Sequence, residues 1–209
     1  MAIIHFLLPA LVLNALTAFT LPEHWQLFWV ELSMPLGWFL ALGWLVRRRG
    51  WVPVLHALGL LPLQPWGWLQ QGLVLSVLLL LATLLLGMLA QFVPISTVDP
   101  WLALPREQRW VVALLAVFSA PLLEELIFRG FLQPLLFRSL GLWGALAGTP
   151  LLFMLVHVNY QWGSLPQLTV LSLGILLSWA RHRTQSIAPG VLAHAFNNAC
   201  GAWFLLQAP

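Results

Sequence analysis

Long apolar runs separated by short polar or proline-rich segments dominate the chain. A helix of about 20 residues, rising about 1.5 Å per residue, spans the roughly 30 Å hydrocarbon core of a bilayer. The pattern therefore predicts an all-α, polytopic transmembrane helical bundle of about seven spans, within a range of about six to eight. The predicted spans cover residues 3–21, 27–46, 68–90, 110–138, 142–158, 165–180 and 187–206.

Prolines and a glycine modify two parts of this pattern. Residues 51–66 hold three prolines among Trp and Leu, which is too broken for a spanning helix and predicts an interfacial segment. The run 110–138 is long for one span and is interrupted by Pro121, Gly130 and Pro134. These interruptions predict a kinked helix.

Composition supports a membrane protein and excludes a nucleic-acid-binding one. The chain is 61% hydrophobic and only 7% charged, so water could not solvate its surface, and the bilayer is its expected solvent. The formal net charge of +3 comes from nine arginines without any lysine. These arginines lie near the ends of apolar runs and form no basic patch of the kind that binds nucleic acid.

The arginines also predict the orientation of the chain. Arg47–Arg49 follow the second apolar run, and Arg181 and Arg183 follow the sixth. The positive-inside rule places both clusters in the cytoplasm, with the N-terminus inside and the C-terminus outside. We find no linker or repeat, so residues 1–209 are expected to form a single integral membrane domain, in a bacterial plasma membrane.

Ionisable and amide side chains inside the predicted spans are the candidate functional groups. A charged side chain at the centre of a bilayer costs roughly 2.5–3.5 kcal/mol on insertion scales, so such a residue is a functional hypothesis by default. The candidates occur on the fourth, fifth and seventh spans. They are Glu124, Glu125, Arg129, His157, His194, Asn197 and Asn198.

The spacing of these residues suggests different roles for them. Glu125 and Arg129 are four apart, which favours an ion pair that supports the helix. Glu124 then has no local partner and can act as a general base. Residues 194 and 198 are also four apart and share one helix face.

A comparison of depth indicates that three of these side chains can meet. Counted from the predicted cytoplasmic ends of their spans, Glu124, His157 and His194 all lie about 16 to 22 Å into the membrane. The agreement requires residues 130–138 to continue the fourth helix. The sequence therefore predicts one polar cavity that contains the acid and both histidines.

The same residues form three motifs in order, E-E-x-x-x-R, F-x-x-x-H and H-x-x-x-N, over roughly residues 108–206. In them the chain resembles the type II CAAX prenyl endopeptidase and bacteriocin-processing family of intramembrane proteases, a class of hydrolases. The resemblance implies that residues 108–206 are the catalytic core helices. The matching residues are Glu124, Glu125, Arg129, Phe153, His157, His194 and Asn198.

The resemblance also implies a catalytic or supporting role for each matching residue. Glu124 and His157 would activate the attacking water, while His194 and Asn198 would stabilise the oxyanion. Glu125, Arg129 and Phe153 are interpreted as supporting residues, with Phe153 mainly packing. The substrate would be a membrane-associated peptide or protein, prenylated or bacteriocin-like.

Two alternatives stay open at this point. Glu124, His157 and His194 could be three Zn²⁺ ligands of a metalloprotease. No H-E-x-x-H motif occurs, and a zinc site would need a separate base, so we favour a reaction without a cofactor or metal. The non-enzymatic alternative is a membrane scaffold or transporter. Membrane lipids are expected partners in every case, and the sequence leaves the oligomeric state open.

Overall fold

The structure is a computed structural model, which describes residues 40, 42–61, 63–97, 100–157 and 160–208. The first predicted span and most of the second lie outside these residues. The described part of the chain is helical and contains no β-strand, so the predicted all-α class is confirmed there. Residues 42–49 are helical, and the helices that follow are α1 (Trp51–Ala57), α2 (Pro65–Leu89), α3 (Arg106–Leu114), α4 (Ala120–Glu124), α5 (Gln133–Val156), α6 (Leu165–Thr184) and α7 (Ala188–Gln207).

Helices α3, α4 and α5 form one helical run, Arg106–Val156, in which π-helical segments join the α-helical pieces. At about 1.5 Å per residue this run would be far longer than a bilayer core. Gly141 divides it, because its backbone is not helical (φ 72°, ψ −172°). The chain is therefore helical through residues 130–138, as the depth comparison requires, and breaks between the predicted fourth and fifth spans.

The predicted fourth span, for which a kink is expected, contains two π-helical segments, Leu115–Ser119 and Glu125–Leu132. Pro121 follows the first segment closely, and Pro134 follows the second. Proline has no N–H to donate to the carbonyl four residues earlier. The wider π turns accommodate these missing hydrogen bonds, and such segments often occur at functional sites.

The surface of α2 is that of a lipid-facing helix. Leu73, Val77 and Leu81 are each more than half exposed (58%, 56% and 57%), and contiguous apolar exposure on this scale is not expected in water. Two helices of the described part, Pro65–Leu89 and Arg106–Val156, are long and apolar enough to cross a membrane. The count of about seven spans stays a prediction.

Helix α7 lies at the centre of the packing. It contacts α2, α3, α4 and α6, while α5 packs against α6. Gly72 allows the close approach of α2, because a Cβ there would lie 3.0 Å from the Cβ of Leu192. This packing holds the polar residues of α7 beside the junction of α4 and the second π segment.

The predicted spans 68–90 and 110–138 place Arg109 in the loop between them, but the structure places it in a helix. It lies in α3 and is only 9% exposed. Its guanidinium donates to the carbonyl oxygens of Leu104, Leu102 and Ala208 at 2.9 to 3.0 Å. Arg109 therefore ties the segment before α3 to the end of α7, and these carbonyls offset the cost of burying its charge.

Candidate active site

Glu124, the last residue of α4, faces two imidazole rings. Its Oε2 lies 3.6 Å from Nε2 of His194 and 4.0 Å from Nε2 of His157. Both distances exceed a direct N–H···O hydrogen bond, which is about 2.7–3.2 Å. Oε2 is itself buried without a hydrogen-bond partner, although the side chain is 25% exposed. This carboxylate oxygen therefore has unused capacity to accept a hydrogen bond.

His157 is held by its own helix. It caps the C-terminus of α5, and its Nδ1 lies 2.7 Å from the carbonyl oxygen of Phe153. Because a carbonyl only accepts, Nδ1 carries the proton in this contact. In the neutral ring the Nε2 lone pair then points toward Glu124. The ring of Tyr160 lies parallel to the imidazole ring of His157, with centroids 6.3 Å apart.

His194 lies between the two acidic residues. Its Nδ1 is 3.4 Å from Oε1 of Glu125, and its Nε2 faces Glu124. The ring is 2% exposed, whereas that of His157 is about one quarter exposed. His194 therefore connects an open side of the site, at Glu124 and His157, to a closed side at Glu125.

The closed side is an ion pair that is excluded from solvent. Arg129 Nη1 donates to Glu125 Oε1 at 2.8 Å, and its Nη2 donates to the carbonyl oxygen of Gly174 on α6 at 3.1 Å. Arg129 and Glu125 are 0% and 1% exposed. Gly190 on α7 leaves room for the acid, because a Cβ there would lie 2.8 Å from Oε2 of Glu125.

Phe153 packs, as expected, but it occupies the centre of the cluster. Its ring is fully buried, and the guanidinium carbon of Arg129 lies 4.5 Å from the ring centroid. The rings of His157 and His194 lie 4.7 Å and 5.9 Å away, centroid to centroid. One aromatic side chain therefore fixes the position of three polar ones.

Asn198 lies one helical turn beyond His194 on α7, and its side-chain amide makes one hydrogen bond to the backbone of another segment. Its Nδ2 donates to the carbonyl oxygen of Ala116 at 2.8 Å. Ala116 belongs to the first π segment, where an i to i+5 hydrogen bond would come from residue 121, a proline without an N–H. The Asn198 side chain supplies the donor that Pro121 lacks.

The structure thus brings Glu124, His157 and His194 together and joins Glu125, Arg129 and Phe153 to the same cluster. In the described part of the chain, no group of three His, Cys, Asp or Glu side chains is arranged so that it could hold a metal ion. The zinc alternative with Glu124, His157 and His194 gains no support from this geometry.

Sequence reasoning did not single out Gly190, Gly174 or Tyr160. Gly190 stands four residues before His194 and eight before Asn198, so a small residue on the functional face of the predicted helix was the available signal. Gly174 has a comparable role on α6, because a Cβ there would lie 3.1 Å from Pro150. No sequence signal links Tyr160 to the site beyond its position three residues after His157.

One comparison with known proteins finds a match, and the matched segment contains the cluster. No curated protein and no solved structure matches the chain. A family model described as type II CAAX prenyl endopeptidase Rce1-like matches residues 106–200, which contain Glu124, His157 and His194. Over this segment the chain is similar to the Rce1-like type II CAAX prenyl endopeptidase family.

Proposed function

We propose that the chain is an intramembrane endopeptidase that hydrolyses a peptide bond of a membrane-associated substrate, in a bacterial plasma membrane. The observation that carries the proposal is the unpaired Oε2 of Glu124, which faces the Nε2 atoms of two histidines at 3.6 and 4.0 Å. The similarity of residues 106–200 to an endopeptidase family supports the same reaction.

Glu124 and His157 activate the nucleophile in this proposal. A water about 2.8 Å from each of two atoms that are 4.0 Å apart can hydrogen-bond to both at once. It donates one proton to Glu124 and the other to the lone pair of His157 Nε2. As the water oxygen attacks the carbonyl carbon of the substrate, Glu124 takes its proton as general base.

His194 and Asn198 stabilise the oxyanion that forms. A ring of His194 that carries a proton on Nε2 donates toward the substrate oxygen, and Asn198 contributes the N–H that Ala116 does not use. Glu124 then returns its proton to the leaving nitrogen as the C–N bond breaks. The products are a carboxylic acid and an amine, which become a carboxylate and an ammonium when the acid proton passes to the amine, and the enzyme regains its starting state.

The supporting residues hold the catalytic side chains in fixed positions. Arg129 neutralises Glu125, and Phe153 contacts Arg129 and both histidines. Catalytic groups need such positioning, because errors of about 1 Å cost large factors in rate. A prenylated C-terminus and a bacteriocin-like peptide are both retained as substrate classes.

The test is cleavage of membrane-anchored peptides by the purified full-length protein in liposomes. Prenylated and unprenylated peptides are compared, and mass spectrometry identifies the products. We expect wild type to cleave, and His157→Ala to lose at least about 10²-fold in rate. His56→Ala is the matched control, because His56 lies exposed on α1, outside the cluster, and should retain full activity.

Two outcomes would contradict the proposal. Wild-type rates in His157→Ala would remove this histidine from the mechanism, and absence of cleavage with every peptide would favour the scaffold or transporter alternative. A chelation arm tests the metal-free route. Activity should survive thorough chelation, whereas loss that is reversed by added Zn²⁺ would establish a zinc enzyme.

A further inference from the structure

A second polar site lies away from the catalytic cluster, between the start of α5 and the end of α6. It is a half-open cavity of about 240 Å³. Three of its lining side chains are basic, and the others are two amides, a proline and an aromatic ring. They are Gln133, Pro134, Phe137, Arg138, Arg181, His182 and Gln185.

The cavity has positive charge without a neutralising acid. The sequence contains no Asp or Glu after Glu125, and Glu125 is already paired with Arg129. Glu107 lies at the other end of the helical run, about 46 Å from Arg138 along the helix at about 1.5 Å per residue. Among the described residues, Arg138 and Arg181 therefore have no carboxylate partner.

Two buried atoms of the lining residues have unused hydrogen-bonding capacity. Gln133 is 6% exposed, and its Nε2 donates to the carbonyl oxygen of Ser178, but its Oε1 is buried without a partner. Nε of Arg181 is likewise buried without a partner. The site thus offers donors with positive charge and one acceptor, and buried polar groups of this kind are normally satisfied.

The chain packs closely around Arg181. Gly59, with φ of 73°, lies against its guanidinium, because a Cβ at this glycine would be 3.2 Å from Cζ of Arg181. Arg181 is consequently partly buried, whereas Arg183 on the same helix is exposed. Burial strengthens the electrostatic attraction of Arg181 for an anion.

Exposed apolar side chains occur among the residues that line the cavity and within two positions of them on both helices. Leu135, Phe137 and Leu140 on α5 are 49%, 51% and 64% exposed, and Trp179 on α6 is 48% exposed. Such side chains suit contact with acyl chains more than with water. They favour a ligand whose anionic end enters the cavity while its apolar part lies along the helices.

We propose that this cavity binds the headgroup of an anionic phospholipid of the phosphatidylglycerol class. The phosphate pairs with Arg138 and Arg181, and a glycerol hydroxyl donates to Oε1 of Gln133. A zwitterionic headgroup fits less well, because its ammonium would meet the three basic side chains. The site is independent of peptide hydrolysis and would exist in a catalytically silent protein.

Binding to delipidated, full-length protein in neutral detergent tests the site. Native mass spectrometry and thermal unfolding are recorded with phosphatidylglycerol, with phosphatidylcholine and with soluble glycerol 3-phosphate. We expect retention of phosphatidylglycerol and a raised midpoint of unfolding with this lipid alone. Arg181→Gln should weaken binding by about tenfold or more, the factor expected for one charge-assisted hydrogen bond.

Arg183→Gln is the matched control, because it removes the same charge two residues away outside the cavity, and its affinity should stay close to wild type. If Arg181→Gln does not fold, Arg138→Gln replaces it, since Arg138 is exposed and also lines the site. Equal weakening in Arg183→Gln would indicate diffuse surface attraction and overturn the proposal. Equal binding of phosphatidylcholine, or binding of glycerol 3-phosphate in place of lipid, would also overturn it.

Discussion

Glu124 and Glu125 are neighbours in sequence, yet their carboxyl groups lie in different environments. Glu125 is 1% exposed and pairs with Arg129 at 2.8 Å. Each acid has an Oε2 without a hydrogen-bond partner, but Glu124 is 25% exposed and its Oε2 lies between two histidines. The second π segment begins between them, so the helix changes register where one carboxylate turns inward and the other faces the open side.

The comparison separates a group that holds the fold from a group that can act on a substrate. A buried carboxylate beside a guanidinium is stabilised in its charged form. Because protein encloses this carboxylate, it cannot contact a substrate. A carboxylate with a free oxygen and an accessible face meets the geometric condition for a general base. His194 contacts both sides, so damage to either can reach the other through this ring.

The largest expected effect comes from Glu125→Gln. It leaves the guanidinium of Arg129 buried without a countercharge, and breaking a buried pair in this way costs about 3–5 kcal/mol. We expect lowered expression and a lower free energy of unfolding, with activity lost in proportion to the unfolded fraction. Denaturant unfolding in detergent measures the effect.

Glu107→Gln is the control for that variant, because Glu107 is an exposed acid in the first turn of α3 and should leave unfolding unchanged. Wild-type stability in Glu125→Gln would contradict the structural role of the closed side. A stable Glu125→Gln protein without activity would indicate that Glu125 has a catalytic role.

Asn198→Ala tests whether α7 contributes to catalysis beyond His194. Loss of an oxyanion donor typically costs about 10²-fold or more in rate, whereas loss of the hydrogen bond to Ala116 should lower stability by only about 1 kcal/mol. Asn197→Ala is the matched variant on the neighbouring position and should retain activity. Loss of stability alone in Asn198→Ala would assign Asn198 to the π segment and not to the oxyanion.

Gly190→Ala should produce a smaller loss, of about 1–3 kcal/mol in folding free energy, because its Cβ would lie 2.8 Å from Oε2 of Glu125. Gly201→Ala on the same helix is the control. Nothing lies within 4 Å of a Cβ at Gly201, so the higher helix propensity of alanine should leave stability unchanged or improved. Equal unfolding curves for the two variants would show that the closed side tolerates extra volume.

Much of the architecture was predictable because apolar length and helical spacing are properties of the sequence itself. The predicted span 68–90 corresponds to Pro65–Leu89, and the predicted spans 165–180 and 187–206 correspond to helices of similar bounds. The Glu125–Arg129 pair followed from its spacing of four. The depth comparison predicted that Glu124 and the two histidines meet, because helices expected to cross one membrane share a common reference plane.

The parts that sequence did not predict depend on contacts between distant segments. Pro121 predicted a kink, but not the π segment before it. The carbonyl of Ala116 in that segment accepts a hydrogen bond from Asn198, which is 82 positions away in the sequence. Arg109 was interpreted as a loop residue, since loops are the default place for charge, and its acceptor at Ala208 is 99 residues away. Neither pairing has a local pattern, because only packing of α7 brings the partners together.

The most direct measurement is the cleavage rate of Glu124→Gln beside its free energy of unfolding, with wild type and Glu125→Gln measured in parallel. An amide cannot take the proton of the attacking water, so we expect a loss of at least about 10²-fold in rate while unfolding stays close to wild type. Glu125→Gln should show the reverse pattern, with stability as the main loss. Full activity in a folded Glu124→Gln protein would contradict the assignment of Glu124 as the general base.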